Sequence, residues 1–119
     1  LAKILVVDDE PMIAMLVADW LADVGHEPVG PALTLTEAMA LLDHAFDAAI
    51  VDLALGAESG RPIAEALAAK GTPFIYATAQ AGADLDDLPP SMGLLTKPYS
   101  CEALTLALKP ILSSLTSRS

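Results

Sequence analysis

The chain has 119 residues, enough for one domain spanning 1–119, and a formal net charge of −10 from 16 acidic and 6 basic residues. Six scattered basic residues argue against a nucleic-acid partner, which needs Lys and Arg to neutralise phosphates. The lone cysteine, Cys101, excludes an intrachain disulfide and a Cys-cluster zinc site. Hydrophobic content is 54%, but 22 of those residues are alanine, and no run approaches the ~18–20 apolar residues of a membrane span. The expectation is a cytoplasmic domain with neither a membrane nor a nucleic-acid partner. The first residue is Leu1 rather than Met, so both a single-domain protein and a piece of a longer one stay open.

Residues 3–8 are short, β-branched and apolar on both faces, which predicts a buried strand. Pro11 opens a helix, with Asp9 or Glu10 placed to cap it. Met12, Leu16, Trp20 and Val24, with Ile13 and Val17, follow helical spacing, and Gly25 stops the helix. Residues 27–30 predict a second strand. Thr34 or Thr36 caps a second helix through about Ala45, with Leu35, Ala38, Met39 and Leu42 inward. Asp47–Asp52 is the third strand, followed by a loop at Gly56–Gly60 and a helix from about Pro62 to Ala69. Lys70-Gly71-Thr72-Pro73 stops that helix, and residues 73–78 form the fourth strand. Residues 79–91 carry Gly, Pro and three Asp, so any helix there is short and weak. The fifth strand is 93–96, and a last helix runs from Ser100 to about Ser114, interrupted by Pro110 near its third turn. The tail 116–119 is polar and expected to fray. This is (βα)₅ alternation: a doubly wound parallel α/β sheet with helices on both faces.

Four strands end in functional side chains: Asp8-Asp9-Glu10, Asp52, Thr78 and Lys97-Pro98. In open α/β sheets, ligands bind at the carboxyl ends of the strands. Each feature alone has a plain structural reading, as a helix cap, a turn residue or surface punctuation. All four on one edge are a poor coincidence. Clustered carboxylates repel, and Mg²⁺ relieves that repulsion through oxygen ligands. A carboxylate oxygen of Asp52 is then a nucleophile of aspartyl-phosphate type. Lys97 and Thr78 would meet the oxygens of a transferred phosphoryl group.

These residues resemble the receiver domain of two-component response regulators over nearly the whole chain. Ile4-Leu5-Val6-Val7-Asp8-Asp9-Glu10 is similar to the family's opening strand and acidic pair, and Ile50-Val51-Asp52-Leu53 to its phosphoacceptor strand. Thr78-Ala79 and Lys97-Pro98-Tyr99 are similar to its last two signatures. The resemblance implies a flavodoxin-like sheet of order 2-1-3-4-5. It implies Asp52 as phosphoacceptor for a histidine kinase or a histidine phosphotransfer protein. It implies Mg²⁺ held by Asp9, Asp52 and the Ala54 backbone carbonyl, with Asp8 acting through water, and Lys97 and Thr78 on the phosphoryl oxygens. The family often carries a switching aromatic three residues before the lysine, where this chain has Leu94. Pro73-Phe74-Ile75-Tyr76-Ala77-Thr78 is also similar to an alphaproteobacterial subgroup named for a Phe-Ala-Thr-Gly motif, with Tyr76 for Phe and Ala79 for Gly. That subgroup would shift the switching to Tyr76 or to segment 79–91.

The remaining candidates have bland readings. His26 and His44 are surface residues at helix ends, and Met12, Met15 and Met39 pack. Trp20 covers core beside the sheet, and Cys101 is a small helix residue. The last helix is apolar at Cys101, Leu104, Leu106, Ala107, Leu108, Ile111, Leu112 and Leu115. That fits a well-covered core helix and, equally, a homodimer or partner surface over 94–115. A dedicated aspartyl-phosphate hydrolase would want an acid two residues after Asp52, where Ala54 stands. A pseudo-receiver should have lost an acid or the lysine. A flavodoxin would not place Asp-Asp-Glu against a flavin phosphate. Gln80 and Ala54 flank the expected site and would shape water access to it.

Overall fold

In the computed structural model, residues 2–79 and 88–117 are described, without the side chains of 116 and 117. The strands are β1 (Lys3–Val7), β2 (Glu27–Ala32), β3 (Ala48–Asp52), β4 (Ala54–Leu55), β5 (Glu58–Ser59), β6 (Phe74–Thr78) and β7 (Leu94–Thr96). The helices are α1 (Pro11–Asp23), α2 (Leu35–Leu41), α3 (Arg61–Lys70) and α4 (Cys101–Ser117). The main sheet is parallel with order β2-β1-β3-β6-β7. With the small β4–β5 hairpin set aside, that is the expected order 2-1-3-4-5.

The central strands are apolar throughout because both faces are covered. Ile4, Val6, Ile50, Ile75 and Ala77 pack on one face with Val17 and Leu21 of α1 and Leu104, Leu108 and Ile111 of α4. Leu5, Val7, Ala49, Val51, Phe74 and Tyr76 alternate to the other face, against Ala38 of α2 and Ile63, Ala64 and Leu67 of α3. The two-residue period is present but hidden, since either phase of it is buried.

Several boundaries differ from the sequence reading. Strand β2 continues past Gly30-Pro31 to Ala32, because it is an edge strand and one side of its backbone needs no ladder donor. Helix α2 stops at Leu41, short of Ala45. The chain turns there so that Asp47 can exchange hydrogen bonds with Lys3, its N–H to the Lys3 carbonyl (2.7 Å) and its Oδ2 from the Lys3 N–H (2.9 Å). Thr34, not Thr36, is the cap: its Oγ1 accepts the Glu37 N–H at 3.1 Å. Glu10 is the N-cap of α1 but makes no side-chain cap bond. Pro110 lies inside α4, which runs on to Ser117. The carbonyl its ring deprives belongs to exposed Leu106, where water can serve it, while buried Leu108 and Ile111 hold the helix on either side.

The buried stripe of α1 is Ala14, Val17 and Leu21, flanked by Ile13 and Trp20. Met12, Met15, Leu16 and Val24 are exposed, and so is Met39 on α2; the expectation that the methionines pack is corrected. Small Ala14, not a methionine, is the fully buried residue of that turn. Trp20 does cover core, with its ring 6.4 Å from that of Tyr99. His26 is half-buried, and its Nδ1 accepts the Ala2 N–H at 3.1 Å. Of the eight apolar residues of α4, only Leu106 is strongly exposed, so the core uses most of that surface. Segment 80–87, with Gln80, and residues 118 and 119 lie outside the described residues.

Candidate functional site

Parallel register brings the strand ends level. Val7 pairs with Val51, Asp52 with Ala77 and Thr78 with Thr96. Asp8, Asp52 and Thr78 are the buried polar residues of the described core, and they share this edge. Lys97 follows β7, and its N–H donates to the Thr78 carbonyl at 2.7 Å. That bond turns the lysine back across the edge, and only 9% of its side chain is exposed.

The Lys97 Nζ donates to Asp52 Oδ2 at 2.7 Å and to Asp8 Oδ1 at 3.2 Å, and lies 3.1 Å from Asp8 Oδ2. Glu10 Oε1 is 4.0 Å from the same nitrogen. Each acid is also anchored by a backbone amide. Asp8 Oδ1 accepts from Glu10 (2.9 Å), Asp9 Oδ2 from Gly56 (2.8 Å) and Asp52 Oδ1 from Ala54 (3.0 Å). The structure therefore brings Asp8, Asp9, Asp52 and Lys97 together and sets Thr78 at the end of the adjoining strand. Ala54 opens the β4–β5 hairpin.

One oxygen from each of Asp8, Asp9 and Asp52 lies within 4.8 Å of the others. Three carboxylates against one ammonium leave an excess of two negative charges. Hard carboxylate oxygens and that excess suit a divalent ion such as Mg²⁺, which takes oxygen ligands at ~2.0–2.1 Å and keeps several waters. Burial pushes the Asp52 carboxyl up; the Lys97 and Ala54 hydrogen bonds oppose this without cancelling it. Burial alone would lower Lys97, but its hydrogen bonds to Asp52 and Asp8 hold it above the ordinary lysine range. Burial, with the charge of Asp8, pushes Tyr99 up to about 12.

These shifts carry a sign. The ammonium of Lys97 is favoured by folding, so its contribution is fully present below its ordinary value of 10.5 and is lost as pH rises through the higher folded value. Tyr99 is kept neutral by folding while the unfolded chain ionises from 10.0, so it too removes stability as pH rises from 10.0 towards 12. The thermal midpoint should therefore fall steadily above about pH 10. Tyr99→Phe should make that fall shallower, and an unchanged slope would remove Tyr99 from the account.

Two features escaped the sequence reading. The stretch expected as a loop at Gly56–Gly60 carries the turn and second strand of the β4–β5 hairpin, with Ala54 paired to Ser59 and Leu55 to Glu58. The signal was there: Gly56-Ala57 between two short runs suits a two-residue turn with Gly first. Gly60 was read only as punctuation, yet a Cβ there would meet the Asp52 carbonyl oxygen at 2.2 Å. Leu94 is exposed on the edge strand opposite Tyr76. Tyr76 is buried, and its hydroxyl donates to the Pro89 carbonyl at 2.5 Å.

A doubly wound parallel sheet of this order, with acids and a lysine gathered at its carboxyl edge, places the protein in the CheY-like class of flavodoxin folds. The chain belongs to the response regulator receiver domain family, whose model matches residues 4–109. Among solved structures it is similar to a CheY-like response regulator receiver domain protein from Methanospirillum hungatei, with 23% identity, 100% of this chain and 99% of that one covered, and a TM-score of 0.86. It is also similar to the non-phosphorylated HemR receiver domain from Leptospira biflexa, at 27% identity, 93% and 94% coverage and a TM-score of 0.81. A third is the response regulator TrrA from Thermotoga maritima in complex with Mg²⁺–BeF, at 26% identity, 93% and 99% coverage and a TM-score of 0.79. Comparison with curated proteins finds no match. Receiver domains are signalling modules of two-component systems rather than dedicated enzymes, and they bind Mg²⁺ at an acidic pocket. No helix among the described residues is long and apolar enough to cross a membrane.

Proposed function

We propose that this domain accepts a phosphoryl group on Asp52 from a phosphohistidine, carried by a histidine kinase or a histidine phosphotransfer protein. The observation that carries the reading is the buried contact of Lys97 Nζ with Asp52 Oδ2 at 2.7 Å, inside a cluster that also holds Asp8 and Asp9. A carboxylate oxygen of Asp52 attacks phosphorus, and the P–N bond breaks with its electrons left on the imidazole nitrogen. Asp9, Asp52 and the Ala54 carbonyl would hold Mg²⁺, with Asp8 acting through water, and the ion would supply charge neutralisation at the phosphoryl oxygens. Lys97 holds one of those oxygens as a point charge, and the Thr78 hydroxyl holds another. The Ala54 N–H keeps the Asp52 carboxylate in one orientation, so little reorganisation is needed.

Once modified, Asp52 no longer offers the same oxygen to Lys97, and Thr78 is drawn to the new group. Both residues border β6 and β7, so the population shifts at the face formed by β6, β7 and α4, where partners read it. With Leu94 aliphatic, buried Tyr76 is the aromatic on that path, joined to the segment before β7 through Pro89. Ala54 gives no acid two residues beyond Asp52, which fits a signalling role better than rapid hydrolysis.

The test is intact-mass measurement after incubation with a small phosphodonor, with and without Mg²⁺, beside Asp52→Asn. One Mg²⁺-dependent phosphoryl adduct should form and be absent from the variant. No adduct while Mg²⁺ binds would make the domain a docking module without phosphoryl chemistry. An adduct surviving in Asp52→Asn would move the acceptor elsewhere.

A further inference from the structure

The three acids at the sheet edge are not held alike. Asp8 and Asp52 are buried and each meets the Lys97 ammonium. Asp9 is only half-buried, and the bond that orients its carboxylate is an uncharged one, from the backbone N–H of Gly56 at 2.8 Å. Two neighbouring carboxylates repel Asp9, and solvent is open to it, so a free side chain would swing outward. The Gly56 amide is what opposes that swing.

The hairpin explains why this amide is available. Leu55 pairs with Glu58, which leaves Gly56 and Ala57 as a two-residue turn. Gly56 has φ +66°, and among the described residues none other than glycine, Ala57 included, has a positive φ, the pattern of a type II′ turn with glycine first. In such a turn the first central N–H takes no part in the turn's own hydrogen bond. It points outward with nothing to bond, and Asp9 Oδ2 accepts it. The other oxygen of Asp9 stays uncommitted to the hairpin. The opening strand of the same hairpin begins at Ala54, whose N–H anchors Asp52. One small loop element thus fixes two of the three acids, 47 residues apart in sequence for the Asp9–Gly56 pair.

We propose that the β4–β5 hairpin is a positioning element for the cation site, with the Gly56 amide as the latch that keeps Asp9 turned inward before the ion arrives. This rests on the reading of Asp9 as a Mg²⁺ ligand. Preorganisation of this kind shows in affinity, because the ion no longer has to gather its ligand. It predicts that hairpin changes alter Mg²⁺ binding without touching Lys97 or Asp52. It also predicts that Asp9 loses its inward orientation when the amide is removed, even with no metal present.

Mg²⁺ affinity would be measured by calorimetry on the folded protein, with ¹H–¹⁵N spectra recorded in parallel, for three forms of position 56. A D-alanine at position 56 retains the N–H and favours the positive φ of the first central position of a type II′ turn, so its affinity should stay within about twofold of the parent. Gly56→Pro lacks the N–H and cannot take positive φ, and its affinity should fall about tenfold, the worth of a hydrogen bond to a charged group. An ester in place of the Leu55–Gly56 amide removes the N–H, leaves φ free and only weakens the Leu55 carbonyl as an acceptor, and it should reproduce the loss even where the proline form fails to fold. Thermal midpoints of the ester form and the parent should agree to within a few degrees. Unchanged Mg²⁺ affinity in the ester form would overturn the latch. So would a loss in the D-alanine form as large as in the ester form. Failure of the parent itself to bind Mg²⁺ would instead remove the proposed cation site, a separate and distinguishable result.

Discussion

Gly60→Ala should be among the most damaging single-methyl changes this protein can suffer. Its φ of −76° is ordinary, so backbone freedom is not the reason. The reason is space: a Cβ at Gly60 would lie 2.2 Å from the Asp52 carbonyl oxygen and 3.2 Å from Val51 Cγ1. The nearest atom is backbone at the end of a central strand and cannot rotate away. Gly60 is also tied on both sides, its N–H to the Leu53 carbonyl (3.0 Å) and its own carbonyl to the N–H groups of Ile63 (3.1 Å) and Ala64 (3.2 Å). Either β3 or the start of α3 must move. The expected cost is about 3 kcal/mol in denaturant unfolding, at the upper end for overpacking. Phosphoryl acceptance should fall further than stability does, because the displaced atoms belong to Asp52 itself. Full stability in Gly60→Ala would mean that the β3–α3 connection yields far more readily than its hydrogen bonds indicate.

Lys97→Met should produce the second large effect. Methionine keeps the length and apolar stem but removes the ammonium, leaving Asp8 and Asp52 buried with no cation between them. Removing one partner of a buried ion pair costs about 3–5 kcal/mol. The sign of the pH response follows from the same charges. Burial already raises Asp52, and without the opposing Lys97 hydrogen bond it binds its proton more tightly still when folded, so its penalty applies above the folded pKa and is relieved as pH falls through it. The variant should therefore gain stability on mild acidification more steeply than the parent. Mg²⁺ should also stabilise it, since the acids remain and their excess charge has grown. The conformational response to a phosphodonor should be blunted, because the phosphoryl contact is gone. Thermal melts at several pH values, with and without Mg²⁺, read all of this. A variant as stable as the parent, indifferent to pH and Mg²⁺, would contradict the central place given to Lys97.

The residues gathered at this edge were readable because each ends an apolar run, and parallel strands must carry their ends to one edge. Asp8, Asp9, Asp52, Thr78 and Lys97 needed only that rule. The spacing of α1 misled for a physical reason. Alanine counts as weakly apolar in a pattern, so Met12 and Leu16 outweighed Ala14, although Ala14 is fully buried and Met12 and Leu16 are exposed. Pro110 misled because local propensity says a helix breaks there, whereas the packing of Leu108 and Ile111 carries it through. The hairpin was read as plain loop because strands of two residues leave almost no periodicity.

The alternation of strands and helices can be read from the chain alone, as can the order of the acidic pair, the single acid, the threonine and the lysine, and hence the family and the chemical inventory of the edge. These are local properties: side-chain type, run length and the residues that stop a run. How that inventory is held depends on the folded packing. Lys97 turns inward to Asp52 and Asp8, Gly56 latches Asp9 across 47 positions, and Gly60 must lack a side chain because the Asp52 carbonyl occupies its place. Those contacts join residues far apart in the chain at distances of a few ångströms, and no local pattern records them. They exist because sheet register and helix packing fix positions first, and the side chains then settle the charge and space left between them.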